Sequence, residues 1–256
     1  MMLLLPMLTG CRPPPDAPQE LDELVGYLFN HLADEDPAAM EAGAANLDSW
    51  LSRRLEETIE GYRVQNLSTE AVSALGEGER DLTGLAGAAV GHESPHPVSD
   101  WVDAIVLNSA LDIYGDTYET FKRTYYVGEP KNFAAGKEDW LEAETWSTSS
   151  YALGLTMETN SGNEYRMVET EKGPAMIYRT WLRKPATVSL DFLSVEQQYY
   201  MWMHLPRGTG SVSIQATWVI ATLSDAPIDE NLALDLVIGG MEGNAASVDE
   251  FNSDGG

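Results

Sequence analysis

Apolar residues recur at three- and four-residue intervals near the start of the chain, at Leu21, Leu24, Val25, Leu28 and Leu32. That spacing puts them on one stripe of an amphipathic helix over residues 20–33. A second stripe, Met40, Ala44, Leu47, Leu51, Leu55 and Ile59, follows Asp36 and Pro37. These act as a cap and a first-turn proline, and they start a helix that ends near residue 60. Two such helices joined by a short acidic turn predict an antiparallel helical hairpin. Residues 67–90 are rich in Ala, Gly and Leu without a clear period, which predicts short helices under a mobile loop. The prolines of His-Glu-Ser-Pro-His-Pro, 92–97, break any helix. A further helical turn or two is expected through Trp101, Val102 and Ile105.

From Tyr118 the period shortens to two. Strands are predicted over 118–127, 140–147, 151–158, 164–170, 175–183, 187–193, 197–205 and 211–223, with tight hairpin loops at 160–163 and 207–210, where Gly and Asn accept a positive φ. Short connections make neighbours antiparallel, so a meander of about six to eight strands is expected. In the last two strands both alternating sets are apolar or aromatic. Tyr199, Met201, Met203 and Leu205 lie opposite Tyr200 and Trp202; Val212, Ile214, Trp218 and Ile220 lie opposite Val219 and Leu223. Strands of this kind are covered on both faces, by the N-terminal helices outside and by a curled sheet or a cavity inside.

The fold class is therefore α+β: N-terminal helices on a curved antiparallel meander, with a last helix over 231–242 and a disordered acidic tail over 243–256. Residues 20–110 form a helical region and 111–242 a β-rich region packed with it as one domain. At the level of fold order this arrangement is similar to the helix-grip lipid-binding families, a resemblance that implies a ligand cavity.

The first residues carry a different signal. Leu8-Thr9-Gly10-Cys11 resembles the lipobox of bacterial lipoproteins, with residues 1–10 as the signal segment. The resemblance implies a mature chain that begins at Cys11, with a diacylglyceryl group on its thiol as the link to a bilayer. Two acyl chains hold a protein stably, because each buried methylene contributes about 0.8 kcal/mol. No Lys or Arg precedes Leu3-Leu4-Leu5, a departure from the positive start of secretion signals. Residues 11–19 comprise the cysteine and a stiff proline-rich linker. Arg12 stands where the family's inner-membrane retention signal would often be Asp, which implies the outer membrane, facing the periplasm or the cell surface. Cys11 is the sole cysteine, so no disulfide supports the fold.

Fifteen basic against 41 acidic residues leave a net charge of −26. Such a surface repels phosphate backbones and excludes nucleic acid as a partner. Candidate chemistry is sparse. His92, His96 and Asp100 could supply metal ligands, but the intervening prolines deny the helix that would align the two imidazoles, and an ordinary loop is the simpler account. Glu250 to Gly255 resembles the start of a calcium loop whose remaining ligands are missing. The glycines of residues 84–91 match no phosphate-loop spacing. His204, among Trp202, Met203 and Leu205, reads as a core histidine. No nucleophile–base signature occurs, so no catalytic residue, metal or cofactor is assigned.

Arg123, Arg166, Arg179 and Arg183 are the least ordinary charges, because each sits beside aromatic residues in the predicted sheet. An inward arginine among rings can bind an anion by paired hydrogen bonds; balancing surface acids is the commoner role. The sequence predicts a non-catalytic binding module for an apolar or amphipathic small molecule, lined by Tyr178, Trp181, Tyr200, Trp202, Trp218 and Arg179. The alternatives are an assembly lipoprotein engaging another envelope protein, favoured by a sealed core, and a hydrolase without a recognisable motif, favoured by a pocket holding converging carboxylates, histidine or arginine.

Overall fold

The computed structural model describes residues 16–151, 154–223, 226–227 and 230–255; the lipobox and most of the linker lie outside them. The helices are α1 (Leu21–His31), α2 (Ala38–Arg54), α3 (Thr69–Ser73), α4 (Val98–Val102), α5 (Ala110–Ile113), α6 (Pro130–Ala134) and α7 (Glu230–Ser253). A π-helical turn, Asp103–Leu107, continues α4. The strands are β1 (Tyr62–Val64), β2 (Ala86–Ser94), β3 (Tyr118–Val127), β4 (Trp140–Ser150), β5 (Thr156–Thr170), β6 (Gly173–Leu182), β7 (Thr187–Val188), β8 (Leu193–Arg207), β9 (Gly210–Leu223) and β10 (Ala226–Pro227). All described pairs are antiparallel, in the order β1-β2-β9-β8-β6-β5-β4-β3, with β10 beside β9 and β7 beside β5. The α+β class, the N-terminal helices and the closing helix are as the pattern predicts.

The outer face of β2, β9, β8 and β6 packs against α1 and α2. Leu21, Leu24, Val25, Leu28 and Phe29 of α1 are fully buried against Tyr199, Met201, Ile214 and Trp218 among others. Each such side chain contributes roughly 1.5–3 kcal/mol by leaving water. α1 ends without a glycine cap, and two arginines from the sheet do that work instead. Arg166 Nη1 donates to Leu32 O at 2.8 Å and Asp34 O at 2.6 Å, and Arg179 Nη1 donates to Phe29 O. Cations suit the negative end of a helix and fill its orphan carbonyls. At the chain's described start, Asn46 donates to Ala17 O and Pro18 O, which pins this stretch to α2.

Three expectations are corrected. The region assigned to helices contributes β1 and β2, and β2 lies between β1 and β9. Its small residues are required by close approach: a Cβ at Gly87 would lie 2.4 Å from the Trp218 ring, and one at Gly91 would lie 2.2 Å from Thr58 Oγ1. Residues 160–163 are not a hairpin loop but the middle of the continuous strand β5. Gly162 is there because Trp181 lies across it, 2.3 Å from a would-be Cβ. The acidic end is not a disordered tail, because α7 runs to Ser253. Met241, Ala245 and Val248, at helical spacing, are buried and hold it down. The Arg207–Gly210 hairpin is as predicted, with Gly208 at φ 60°.

Candidate ligand-binding cavity

α7 lies across the other face of the sheet, and between them is a cavity of about 590 Å³. Residues of β3, β4, β5, β6, β8 and β9 all border it. Strands are spaced about 4.8 Å apart, so six flat ones could not share so small a space; the sheet must curl around it. The opposite wall is made by α7, and α5 and the π-helical turn close one side. α7 is tied at several points. Gln215 Nε2 donates to Met241 O at 2.9 Å, and Tyr200 Oη donates to Gln215 Oε1 at 2.8 Å. Near the helix's end Asp249 accepts from Ser94 Oγ and pairs with His92 Nε2 at 2.6 Å.

The helix meets the cavity through Gly239, Gly240 and Gly243 together with Met241, Asn244 and Ser247. The three glycines are exposed, and a Cβ at any of them would find open space, so no side chain of theirs narrows it. The sheet side is hydroxylic. Thr145, Ser147 and Ser149 of β4, Thr159 and Ser161 of β5, Thr180 of β6 and Thr217 of β9 point inward, with Asn163 and Gln198. Six tyrosines, Tyr114, Tyr118, Tyr151, Tyr165, Tyr178 and Tyr200, complete the wall. Burial pushes the Tyr178 and Tyr200 hydroxyls well above their ordinary pKa. Tyr165 is raised by burial too, against the opposing pull of Arg123. These groups stay neutral near pH 7 and offer donors and acceptors without charge.

Arg123 is the one charged residue among the described lining. Its Nη1 donates to Ile105 O and to Tyr125 Oη at 3.2 Å, while Tyr125 Oη donates to Val106 O at 2.8 Å. Ile105 and Val106 belong to the last turn of the π-helical segment, whose carbonyls have no partner further along the helix. The guanidinium also faces the rings of Phe121, Tyr125 and Tyr165 at 5.1, 6.0 and 5.8 Å. Burial opposes its charge, but Tyr125 Oη accepts a bond from it and a guanidinium does not lose its proton near pH 7, so the cation persists.

Half of the residues singled out in the sequence border the cavity, and the rest of its wall comes from others. Tyr178 and Tyr200 line it, and Trp181 borders it while also packing in the outer core. Trp202 lies beneath Trp101, with ring centroids 5.1 Å apart, and away from the cavity. Trp218 is on the outer face against Phe29, and its Nε1 donates to Gln65 O. Arg179 is also on the outer face, bonded to Glu164 with Nη2 to Oε2 at 2.6 Å. Burial shifts both partners of that pair toward their neutral forms, and each opposes the shift in the other. Alternation along β6 sends Tyr178 and Thr180 inward and Arg179 outward. Arg166 caps α1, and Arg183 pairs with Glu77 and Glu144. Of the four arginines only Arg123 reaches the cavity; it shares its strand face with Phe121 and Tyr125, a parity readable from the sequence.

His92, His96 and Asp100 do not meet as a set of three. His96 Nδ1 lies 3.7 Å from Asp100 and its Nε2 meets Ser253 Oγ at 3.1 Å, but His92 pairs with Asp249 instead. Among the described residues no group of three or more His, Cys, Asp or Glu could hold a metal ion. His204 is fully buried between Trp101 and Trp202, at 4.4 and 4.7 Å, and neither ring nitrogen has a partner. Burial pushes its pKa well below the usual value, and it serves as a neutral core residue.

No protein-family model matches the chain, and no curated protein matches it. Solved structures with similar layout include the human StarD13 lipid transfer and protein localization domain, at 10% identity and a TM-score of 0.44, covering 80% of this chain and 95% of that one. A STAR-related lipid transfer protein from Xanthomonas axonopodis matches at 10% identity and 0.41, covering 67% and 94%. A START superfamily protein from Mycobacterium smegmatis matches at 10% and 0.38, covering 64% and 94%. At these values the ligand reading below rests on the cavity's own residues.

Proposed function

We propose that this protein is a binding module that takes one small amphipathic molecule into the space between α7 and the curled sheet. The observation that carries this reading is the cavity of about 590 Å³ between α7 and the curled sheet, walled by neutral tyrosines and hydroxyls. Protein interiors are otherwise close-packed, so a space of this size lined by buried rings calls for an occupant. The lining favours an amphipathic occupant over a purely apolar one, because hydroxyls without a hydrogen-bonding partner oppose burial of hydrocarbon alone. A sealed core would have favoured an assembly role. Converging carboxylates, histidine or arginine would favour hydrolysis; the described lining has no carboxylate or histidine, and its one arginine, Arg123, has no such group beside it in that wall. Organic extraction of the purified protein, followed by mass spectrometry, should release one amphipathic compound at about one per chain. An extract identical to the buffer blank, together with failure to bind the neutral fluorophore N-phenyl-1-naphthylamine, overturns the reading.

The reading extends to the protein's address. Cys11 in Leu8-Thr9-Gly10-Cys11 is acylated in this proposal and tethers the body to the bacterial envelope, at the outer membrane. Metabolic labelling with palmitate tests it: label in the wild type and none in Cys11→Ser supports the tether, and an unlabelled wild type removes it.

A further inference from the structure

We infer that the cavity's ligand is an anion and that Arg123 receives its headgroup. This rests on the binding reading above and adds the chemical class of the ligand. The chain carries 41 acids and 15 bases, so a charge placed at random in a pocket would most often be negative. Among the described residues the cavity wall holds the opposite, one arginine and no carboxylate. Nor does a described carboxylate lie within 4 Å of Arg123, whereas Arg54, Arg179 and Arg183 each have one.

The way Arg123 is held explains how an unpaired cation survives there. Dipoles compensate it instead of a charge: the Ile105 carbonyl at the negative end of the π-helical turn, the Tyr125 hydroxyl and three ring faces. Neither of its bonds uses more than Nη1, and its Nε is buried with no partner. Dipoles fix the guanidinium in place without cancelling its field. Inside a partly closed space that field is poorly screened, so an anion that enters gains a charge-assisted bond. Thr145, opposite Arg123 in the β3–β4 register, and Asn163, which donates to Thr145 Oγ1 at 3.0 Å, supply neutral polar contacts beside it. The rest of the ligand then lies along Tyr165 and Tyr178, whose rings stack at 5.3 Å.

A matched pair of fluorophores tests the assignment. Anilinonaphthalene sulfonate and N-phenyl-1-naphthylamine share an aromatic body and differ by the sulfonate. In titrations of the full chain, Arg123→Gln should weaken the sulfonate about 10- to 100-fold and change the neutral probe less than about threefold, since a charge-assisted bond is lost and the cavity is not. Thr145→Glu, which keeps Arg123 but gives it a carboxylate partner, should weaken the sulfonate about 10-fold or more beyond any change in the neutral probe, and decides the matter if Arg123→Gln does not fold. Displacement of the neutral probe by decanoate and by decyl phosphate, with decanol as reference, then separates carboxylate from phosphate headgroups. If the sulfonate binds both variants as it binds the wild type, or decanol competes as well as both anions, the anion assignment is wrong while the cavity reading stands. If neither fluorophore binds the wild type, both readings fall.

Discussion

Replacing Gly240 by leucine should raise stability and lower ligand affinity at once. Gly240 lies inside α7, borders the cavity, and has no atom within 4 Å of the place a Cβ would occupy. In a helix interior a glycine costs roughly 0.5–1 kcal/mol relative to alanine, and leucine is nearly as good a helix former as alanine. For a chain of this size that gain raises Tm by about 1–4 °C. The four added carbons displace about as much space as four waters, ~120 Å³, out of about 590 Å³. A ligand forced to share the remainder should bind about 5- to 150-fold more weakly, the equivalent of ~1–3 kcal/mol of overpacking. Gly240→Ala is the control, with the stability gain and almost none of the lost volume. Thermal unfolding followed by circular dichroism and titration with N-phenyl-1-naphthylamine measure the two effects on one preparation. Opposite signs cannot come from a damaged fold. Unchanged affinity in Gly240→Leu would show that the ligand does not use this space, and a fall in Tm would show that the space is not empty.

Arg179→Gln strands Glu164 in the outer core and should cost about 3 kcal/mol in urea unfolding, with the affinity for N-phenyl-1-naphthylamine unchanged; a loss of affinity without a loss of stability would place Arg179 in the site. Burial tends to raise the pKa of Asp249, but bonds from His92 and Ser94 hold it below the ordinary carboxylate value. Its contribution is therefore present above the unfolded-state pKa of about 3.9 and is lost as pH falls through the lower folded value. Asp249→Asn should lack that part of the acid-induced loss, so wild-type and variant stability curves between about pH 5 and pH 2 should converge as pH falls; parallel curves would contradict the pairing. Gln215→Leu removes the bond to Met241 O, and hydrogen exchange along α7 should quicken while β8 and β9 keep their protection.

What the sequence made legible follows from which surfaces meet water. α1 and α2 each have one wet face, so Leu21 to Leu32 and Met40 to Leu51 display the helical stripe. β2 has no wet face over its first residues; Ala88 and Ala89 are buried, and Gly87 and Gly91 are small because Trp218 and Thr58 press on them. Small residues carry no period, and the strand reads as loop. α7 continues past Gly243 because Ala245 and Val248 hold it, whereas its acids and glycines resemble a tail. The cavity was hidden for a related reason. Thr145, Ser147, Ser149, Thr159 and Ser161 alternate with their neighbours as a solvent-facing row does, and sequence cannot tell bulk water from an enclosed space. The large aromatics are the more conspicuous signal, and Trp202 and Trp218 belong to the core. Arg123 and Arg179 have the same sequence character, each flanked on its strand face by apolar or aromatic side chains. Only the sheet's curl, a tertiary property, decides which of the two faces inward.

The most direct test of the central claim is a set of intermolecular nuclear Overhauser effects from bound N-phenyl-1-naphthylamine to the protein. Contacts to the ring protons of Tyr165, Tyr178 and Tyr200 and to the Cα protons of Gly239 and Gly240 are expected. Contacts confined to the exposed rings of Trp146 or Phe192, or no contacts to the inner residues while the probe is bound, would contradict it.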